Sequence, residues 1–168
     1  MRAELEAYAP LDPGQQQLRR EMLGRLDDGA VRRSDGPDHL TASAVVLDDS
    51  RGHVLLVLHA KVGLWMQPGG HLEDGDPTLS AGALREAVEE TGVPDLQLVS
   101  TVPVHLERHA APCGAEHHLD VRYLVRARDG ARPVVSEESL DVRWFALDAL
   151  PAQPRVDLHG LVAAALTV

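Results

Sequence analysis

Residues 69–93, GGHLEDGDPTLSAGALREAVEETGV, decide the fold, because they join a glycine-rich loop to a helix that carries clustered carboxylates. Asp76 followed by Pro77 is typical of a helix N-terminus, where aspartate caps the first turn and proline takes its first position. Gly92 is the residue type that commonly follows the end of a helix. We therefore predict a helix over residues 77–91 with Asp76 as its N-cap.

Three glutamates of this helix are predicted to share one face. Glu86, Glu89 and Glu90 stand at relative positions i, i+3 and i+4, which at about 100° per residue places them within an arc of roughly 100°. Like charges at this spacing repel one another. A hard cation such as Mg²⁺ or Mn²⁺, which prefers carboxylate oxygens, would offset that repulsion, whereas the alternative interpretation is an acidic face in water. The residues predicted to face the core are Ala81, Leu84, Val88 and Thr91.

The segments around this stretch predict a mixed sheet covered by helices. Two apolar runs, residues 40–49 and 53–61, are joined by turn-forming residues at 49–52 and predict a hairpin. Strands surrounding one central helix, with helices at both ends, favour a layered α/β architecture. The other predicted elements are a loop at 65–70, strands at 96–107, 118–127 and 141–146, and a closing helix at about 156–166.

The N-terminal residues predict a helical extension followed by a connector. Asp12-Pro13 is a plausible helix start, and the turn-rich segment 32–38 separates the extension from the rest of the chain. Its apolar stripe must be covered, either by the body of the protein or in a homodimer contact, of which we favour the homodimer. The stripe consists of Leu18, Met22, Leu23 and Leu26.

The composition excludes several classes of protein. The chain has 168 residues with 16 Lys plus Arg against 26 Asp plus Glu, a formal net charge of −10, which disfavours a nucleic-acid polymer as partner. Its one cysteine, Cys113, cannot form an internal disulfide, so a reducing compartment is expected. No segment approaches the roughly 18 apolar residues of a membrane span. We expect a cytoplasmic protein that binds no membrane.

The stretch from Gly70 to Val93 resembles the signature of the Nudix hydrolase family. That signature is a glycine, five residues, a glutamate, seven residues, Arg-Glu, a large aliphatic, any residue, Glu-Glu, any residue, a glycine and an aliphatic. The chain departs from it in three places: Asp76 replaces glutamate, eight residues (77–84) precede Arg85, and Ala87 replaces the large aliphatic. The Arg-Glu to Glu-Glu spacing is intact.

This resemblance covers about residues 39–151 and implies an α/β fold, a Nudix-type α/β/α sandwich with a mixed sheet and a central catalytic helix. It divides the chain into an extension at 1–38, the Nudix domain at 39–151 and a C-terminal helix packed on the domain at 152–168. It also implies metal-dependent attack of water on a phosphorus of a nucleoside diphosphate linked to another moiety. The expected partner is thus a small nucleotide-type diphosphate.

The resemblance assigns roles to the charged residues. Glu86 and Glu90 would ligate one Mg²⁺ or Mn²⁺ ion, with Glu89 as a further ligand or a general base acting through water. Gly70 would offer its carbonyl oxygen to the metal, and Arg85 would hold a glutamate in position. Glu138 follows Glu137 in a loop where the family often supplies an extra ligand or base, although a solvated acidic turn is the alternative.

Other residues leave their roles open. Asp76 is an N-cap or a metal ligand, and Glu73 orders the loop or is an outer ligand. His117, His118 and Asp120 could join His71 and Glu73 in a metal cluster. However, the spacing is not a zinc pattern and the chain has no second cysteine, so a structural or substrate-facing role is favoured.

Two other functions compete with hydrolysis. A Nudix-type nucleotide-binding or sensing module need not retain three repelling glutamates. Isopentenyl-diphosphate isomerisation on the same fold needs a catalytic cysteine, and Cys113 follows the signature in a loop that does not fit that role.

Overall fold

The sheet is the central layer of the protein and carries helices on both faces. A computed structural model describes residues 1–29, 31–32, 36–111, 113, 115–153 and 156–168. The helices are α1 (Arg2–Ala7), α2 (Pro13–Asp27), α3 (Leu79–Thr91) and α4 (Leu158–Ala165). The strands are β1 (Asp38–Asp48), β2 (His53–His59), β3 (Trp65–Met66), β4 (Gly69–His71), β5 (Gln97–Leu98), β6 (His105–Ala110), β7 (His117–Ala127) and β8 (Ser139–Ala146).

The eight strands form one mixed sheet, as predicted. β1 runs parallel to β7 along its whole length, from Asp38 opposite His117 to Asp48 opposite Ala127. The other pairings among the described residues are antiparallel, including the β1–β2 hairpin, in which Val46 lies opposite Leu55. The main path is β3-β2-β1-β7-β5, with β4 also paired to β1, β6 to β7 and β8 to β2.

Side chains alternate across the sheet and so build a core on each face. Leu40 and Ala42 of β1 point towards α1, α2 and α3 and pack in the same cluster as Leu79 and Ala83. Val45 and Leu47 point to the other face and pack with α4. This arrangement is the predicted α/β/α sandwich. No helix in the described part of the chain combines the length and hydropathy of a membrane-spanning segment.

The predicted start of the central helix was wrong. α3 begins at Leu79, and its N-cap is Thr78, whose hydroxyl accepts a hydrogen bond from the Ala81 N–H. Asp76 cannot serve as the cap because its carboxylate is already bound by Arg85 and by the Glu73 N–H. The predicted end is confirmed: Gly92 adopts a left-handed φ of 66° and closes the helix.

Two other boundaries also differ from the prediction. The strand predicted at 96–107 is two short strands, β5 and β6, because the chain leaves the sheet between them, where Pro103 cannot donate a ladder hydrogen bond. The segment 65–70, predicted as a loop, contains β3 and the start of β4. Within α3 the fully buried apolar stripe is Leu79, Ala83 and Ala87, while Leu84 and Val88 are half-buried at its margin.

The N-terminal helices pack on the body of the protein. Met22 of α2 and Leu5 of α1 are fully buried, and the other members of the predicted stripe pack around them. The amide of Gln15 donates to the Leu106 carbonyl at 2.8 Å, and its oxygen accepts from the Leu106 N–H at 2.9 Å, so α2 is bound to the edge of β6. The stripe is therefore covered within the chain, and the argument for a homodimer through it is removed.

Glu4 links the N-terminal extension directly to α3. Its carboxylate accepts hydrogen bonds from the N–H groups of Leu79 and Ser80, both at 3.0 Å. These two donors lie in the first turn of α3 and have no partner within the helix. A carboxylate at a helix N-terminus also interacts favourably with the positive end of the helix dipole. Glu4 is 7% exposed, so water cannot easily replace it.

We therefore predict that Glu4→Ala lowers the free energy of unfolding by about 1–3 kcal/mol, since it leaves buried N–H groups unsatisfied. Urea unfolding measures the change. Glu6→Ala is the matched control, because Glu6 is an exposed glutamate on the same helix whose carboxylate pairs with Arg2 at the surface; it should change stability by less than about 0.5 kcal/mol. Equal losses in the two variants would contradict the assigned role of Glu4.

Candidate active site

An acidic cleft lies where the β4 strand meets α3 and the end of the loop before β8. It encloses about 300 Å³. Its lining brings together the signature loop, the helix and the loop residue Glu138, which are far apart in the sequence. The residues that line it are Gly70, His71, Glu73, Arg85, Glu86, Glu89, Glu90, Ser136 and Glu138.

The two glycines at the start of β4 are required by close packing. A Cβ at Gly69 would lie 2.2 Å from the Ser43 Cβ, and a Cβ at Gly70 would lie 2.8 Å from the Glu86 carboxylate. The absence of side chains lets the main chain approach β1 at Gly69 and α3 at Gly70. The Gly69 N–H donates to Glu90 Oε2 at 3.0 Å and fixes this carboxylate against the loop.

Arg85 organises the carboxylates around the cleft. Its Nη1 donates to Glu86 Oε1 at 3.0 Å and to Glu89 Oε2 at 2.9 Å. Its Nε and Nη2 donate to the two oxygens of Asp76 at 3.1 and 2.9 Å, a bidentate pair. Nη2 also donates to the His71 carbonyl oxygen at 3.0 Å. Arg85 thus holds both glutamates, as the resemblance implied, and binds Asp76 as well.

The electrostatic environment of the cleft disfavours anionic glutamates. Burial raises the pKa of Glu90 to about 8, and the carboxylates of Glu86, Glu138 and Glu89 add to the rise, while the Gly69 N–H opposes it. Burial also raises the pKa of Glu86 to about 7, with Arg85 opposing. By contrast, hydrogen bonds from Arg85 lower the pKa of Asp76. A bound cation would favour the ionised forms of Glu86 and Glu90.

The donor atoms of the cleft fit a hard divalent cation. They are carboxylate oxygens of Glu86, Glu89, Glu90 and Glu138 together with the carbonyl oxygen of Gly70, and Mg²⁺ and Mn²⁺ prefer oxygen ligands. Glu138 is exposed and lines the cleft opposite the helix. Glu73 lies at the rim, 3.9 Å from Arg85. Asp76 points to Arg85, and its geometry is that of a carboxylate positioning Arg85.

Sequence reasoning missed a buried polar network on the opposite face of the sheet. Asp120 of β7 accepts hydrogen bonds from Thr41 at 3.1 Å, from Ser43 at 2.7 Å and from Arg122 at 2.8 Å. Gln67 also reaches Asp120 at 3.3 Å. The signal was present in the sequence, because polar residues alternate in the first half of both strands, at positions 39, 41 and 43 and at 118, 120 and 122, and therefore share one face.

Comparison with known proteins identifies the family. The model of the NUDIX domain matches residues 37–164, and the chain therefore belongs to the Nudix family. Nudix hydrolase 25 of Arabidopsis thaliana is 40% identical over 78 residues, which are 40% of this chain and 44% of that relative. The chain thus spans less than half the length of this curated relative.

Solved structures share the fold. An Ap4A hydrolase of C. elegans superposes with a TM-score of 0.64 at 18% identity, covering 76% of this chain and 95% of that chain. A MutT NUDIX hydrolase from Burkholderia pseudomallei superposes with a TM-score of 0.57 at 28% identity, covering 74% of this chain and 95% of that chain. At 18% identity, the similarity to the C. elegans structure shows only that the fold is shared.

The pairing of Asp76 with Arg85 predicts that removing the charge of Asp76 destabilises the protein. Asp76→Asn removes a charge-assisted bidentate contact and should lower the free energy of unfolding by about 1–3 kcal/mol, measured by urea unfolding. Asp74→Asn is the matched control, since Asp74 is a neighbouring exposed aspartate paired with Arg32, and should change stability by less than about 0.5 kcal/mol. If Asp76→Asn is as stable as the control, Asp76 does not anchor Arg85.

The raised pKa of Glu90 predicts that removing its charge stabilises the metal-free protein, and that this stabilisation depends on pH. A carboxyl group whose pKa is higher in the folded state than its usual 4.5 destabilises the fold as pH rises from 4.5 to about 8. Glu90→Gln should therefore raise Tm at pH 9 by at least about 2 °C, roughly 1 kcal/mol for a chain of this size.

This gain in Tm should shrink as pH falls from about 8 and approach zero below pH 4.5, where Glu90 is protonated in both the folded and the unfolded state. Thermal unfolding followed by circular dichroism in EDTA measures both values. A gain that does not depend on pH would contradict the electrostatic origin.

Proposed function

We propose that this protein is a divalent-metal-dependent hydrolase that cleaves the phosphoanhydride bond of a nucleoside diphosphate linked to another moiety. The observation that carries the proposal is the juxtaposition of the half-buried Glu86 and the buried Glu90 carboxylates beside the Gly69-Gly70 main chain. Such a set is unfavourable without a cation and becomes favourable with one. Membership of the Nudix family and the hydrolase names of its relatives support the same reaction class.

In this proposal Glu86 and Glu90 hold Mg²⁺ or Mn²⁺, with Glu89 and the Gly70 carbonyl oxygen as further ligands. When bound, the ion neutralises phosphate oxygens and lowers the pKa of a coordinated water. The acidic protein could not otherwise accept an anionic diphosphate without strong repulsion. Arg85 does not contact the substrate and instead keeps Glu86 and Glu89 turned towards the cleft.

Two carboxylates are positioned to take a proton from the attacking water. Glu89 is the more exposed of the helix glutamates, with 58% of its side chain accessible, and Arg85 fixes its orientation. Glu138 faces the helix from across the cleft. Because a hydrogen bond from Arg85 already occupies a carboxylate oxygen of Glu89, we propose Glu138 as the base and Glu89 as a ligand or an auxiliary base.

The substrate is proposed at the level of its chemistry: a pyrophosphate with a nucleoside on at least one side. The C. elegans protein of similar fold is named an Ap4A hydrolase, so we would test dinucleoside polyphosphates first in a substrate panel. The panel also contains ADP-ribose, sugar nucleotides, oxidised nucleoside triphosphates and coenzyme A. Release of nucleoside monophosphate or phosphate, measured with and without Mg²⁺, identifies the preferred member.

On that substrate, Glu90→Gln should lower kcat by at least about 100-fold, or about 2.7 kcal/mol in the barrier, because it removes a ligand charge. The protein should stay folded, since glutamine can still accept the Gly69 N–H. Glu137→Gln is the matched control, because Glu137 is exposed and does not line the cleft; it should keep kcat within about twofold.

Full activity of Glu90→Gln at saturating Mg²⁺ would refute the assignment. Tight nucleotide binding with no turnover of any panel member at any Mg²⁺ or Mn²⁺ concentration would instead show a binding or sensing module.

A further inference from the structure

Three histidines and the cysteine converge on the sheet face that points away from the acidic cleft. His39 lies on β1, His71 on β4 and His118 on β7, and Cys113 lies between β6 and β7. One ligand atom from each of the four side chains lies within 4.8 Å of every other. We call these four residues the His3Cys cluster.

The strand register forces the three histidines together. His39 lies directly opposite His118 in the parallel β1–β7 ladder. His71 lies opposite Thr41, which is two residues from His39 and therefore on the same face. The ring centroids are 5.1 Å apart for His39 and His71 and 5.0 Å apart for each of the other two pairs. The sheet backbone thus fixes this arrangement.

Cys113 completes the cluster from outside the sheet. Its Sγ lies 3.2 Å from Nε2 of His118. His39 is fully buried and His118 is 7% exposed, while His71 and Cys113 are half-buried. Imidazole nitrogens and cysteine sulfur are common ligands of transition-metal ions.

The donor set differs in kind from that of the acidic cleft. Three imidazole nitrogens and one thiolate suit a borderline-soft ion that accepts tetrahedral geometry, and they do not suit Mg²⁺. With Zn–N of about 2.0–2.1 Å and Zn–S of about 2.3 Å, the ligand atoms of a tetrahedral site lie roughly 3.3–3.6 Å apart. The cluster needs a contraction of roughly 1 Å to reach that geometry, which side-chain rotation can supply.

We propose that His39, His71, Cys113 and His118 bind one Zn²⁺ ion in a closed, structural site. The site joins β1, β4 and β7 through their histidines and adds Cys113 as the fourth ligand. Since His71 follows Gly70, and the His71 carbonyl oxygen accepts from Arg85, the zinc would anchor the strand that carries the cleft's main-chain oxygen. The proposal does not depend on the hydrolase activity.

A second group of metal-type ligands has a different explanation. Asp38, Glu116 and His117 also lie close enough to share an ion. However, the Asp38 carboxylate already has partners: it accepts from Arg25 at 3.1 Å and contacts the His117 ring at 3.0 Å, and Arg108 lies 3.8 Å away. This group is an ion-pair network, so the His3Cys cluster carries the zinc proposal.

The test uses the full chain without an affinity tag, made metal-free and kept reduced. Co²⁺ is titrated as a spectroscopic probe in excess Mg²⁺ and then displaced by Zn²⁺, and the zinc content after gel filtration is measured by mass spectrometry. We expect one zinc per chain, a thiolate-to-cobalt charge-transfer band, and the visible absorption of tetrahedral Co²⁺. Zinc should raise Tm by at least about 5 °C.

Two variants assign the ligands. Cys113→Ser keeps the size of the side chain but loses the soft donor, so it should abolish the charge-transfer band. His71→Asn should keep the band and distort the visible spectrum. Each should weaken zinc binding at least about 100-fold, because loss of a direct ligand exceeds the 10- to 100-fold typical of outer partners.

Two controls separate this site from other metal sites. His159→Ala removes an exposed surface histidine on α4, and Glu90→Gln removes a carboxylate of the acidic cleft; both should bind zinc as the parent chain does. Equal zinc affinity in Cys113→Ser and the parent chain would overturn the proposal. So would loss of zinc in Glu90→Gln, because the ion would then sit in the cleft.

Discussion

The guanidinium of Arg85 links the glycine-rich loop to the helix that follows it. It binds the Asp76 carboxylate and the His71 carbonyl oxygen on the loop side, and Glu86 and Glu89 on the helix side. Without this cation Glu86 and Glu89 would lose the hydrogen bonds that fix their orientation. The cleft can therefore be acidic and ordered at once, because one positive charge is distributed among several acceptors.

The sheet supplies the second constraint on the site. The long parallel pairing of β1 with β7 fixes which side chains share each face. On one face Leu40 and Ala42 pack under the helices, and on the other a polar column runs from His39 and His118 to the Asp120 network. A buried polar column must be satisfied internally, so its residues specify one register of the strands. The polar column and the acidic cleft thus depend on the same ladder.

The sequence predicted most of the helix that carries the site, and it failed where contacts are made across the fold. The end of α3 at Gly92 followed from local chemistry. Its start was misplaced because the Arg85 side chain captures Asp76 from nine positions away, which no local pattern reveals. The placement of Glu138 at the cleft was an implication of family resemblance. The sequence suggested a different cluster, which did not include His39 or Cys113. The His3Cys cluster was missed because its members come from four segments, and spacing along the chain carries no information about such a site.

One face of β4 packs against the helix of the acidic cleft, and the other face contributes to the His3Cys cluster. The Cα of Gly70 faces Glu86, where there is no room for a side chain. The ring of the next residue, His71, lies on the opposite face beside the histidines of the neighbouring strands. A one-residue insertion here would exchange the two faces. Side chains of the loop over residues 73–78 do not alternate between two faces. This explains how the chain accommodates an additional residue before Arg85. Insertions and deletions should therefore be tolerated in the 73–78 loop but not in β4. An alignment of relatives should show gaps in this loop and none in the strand.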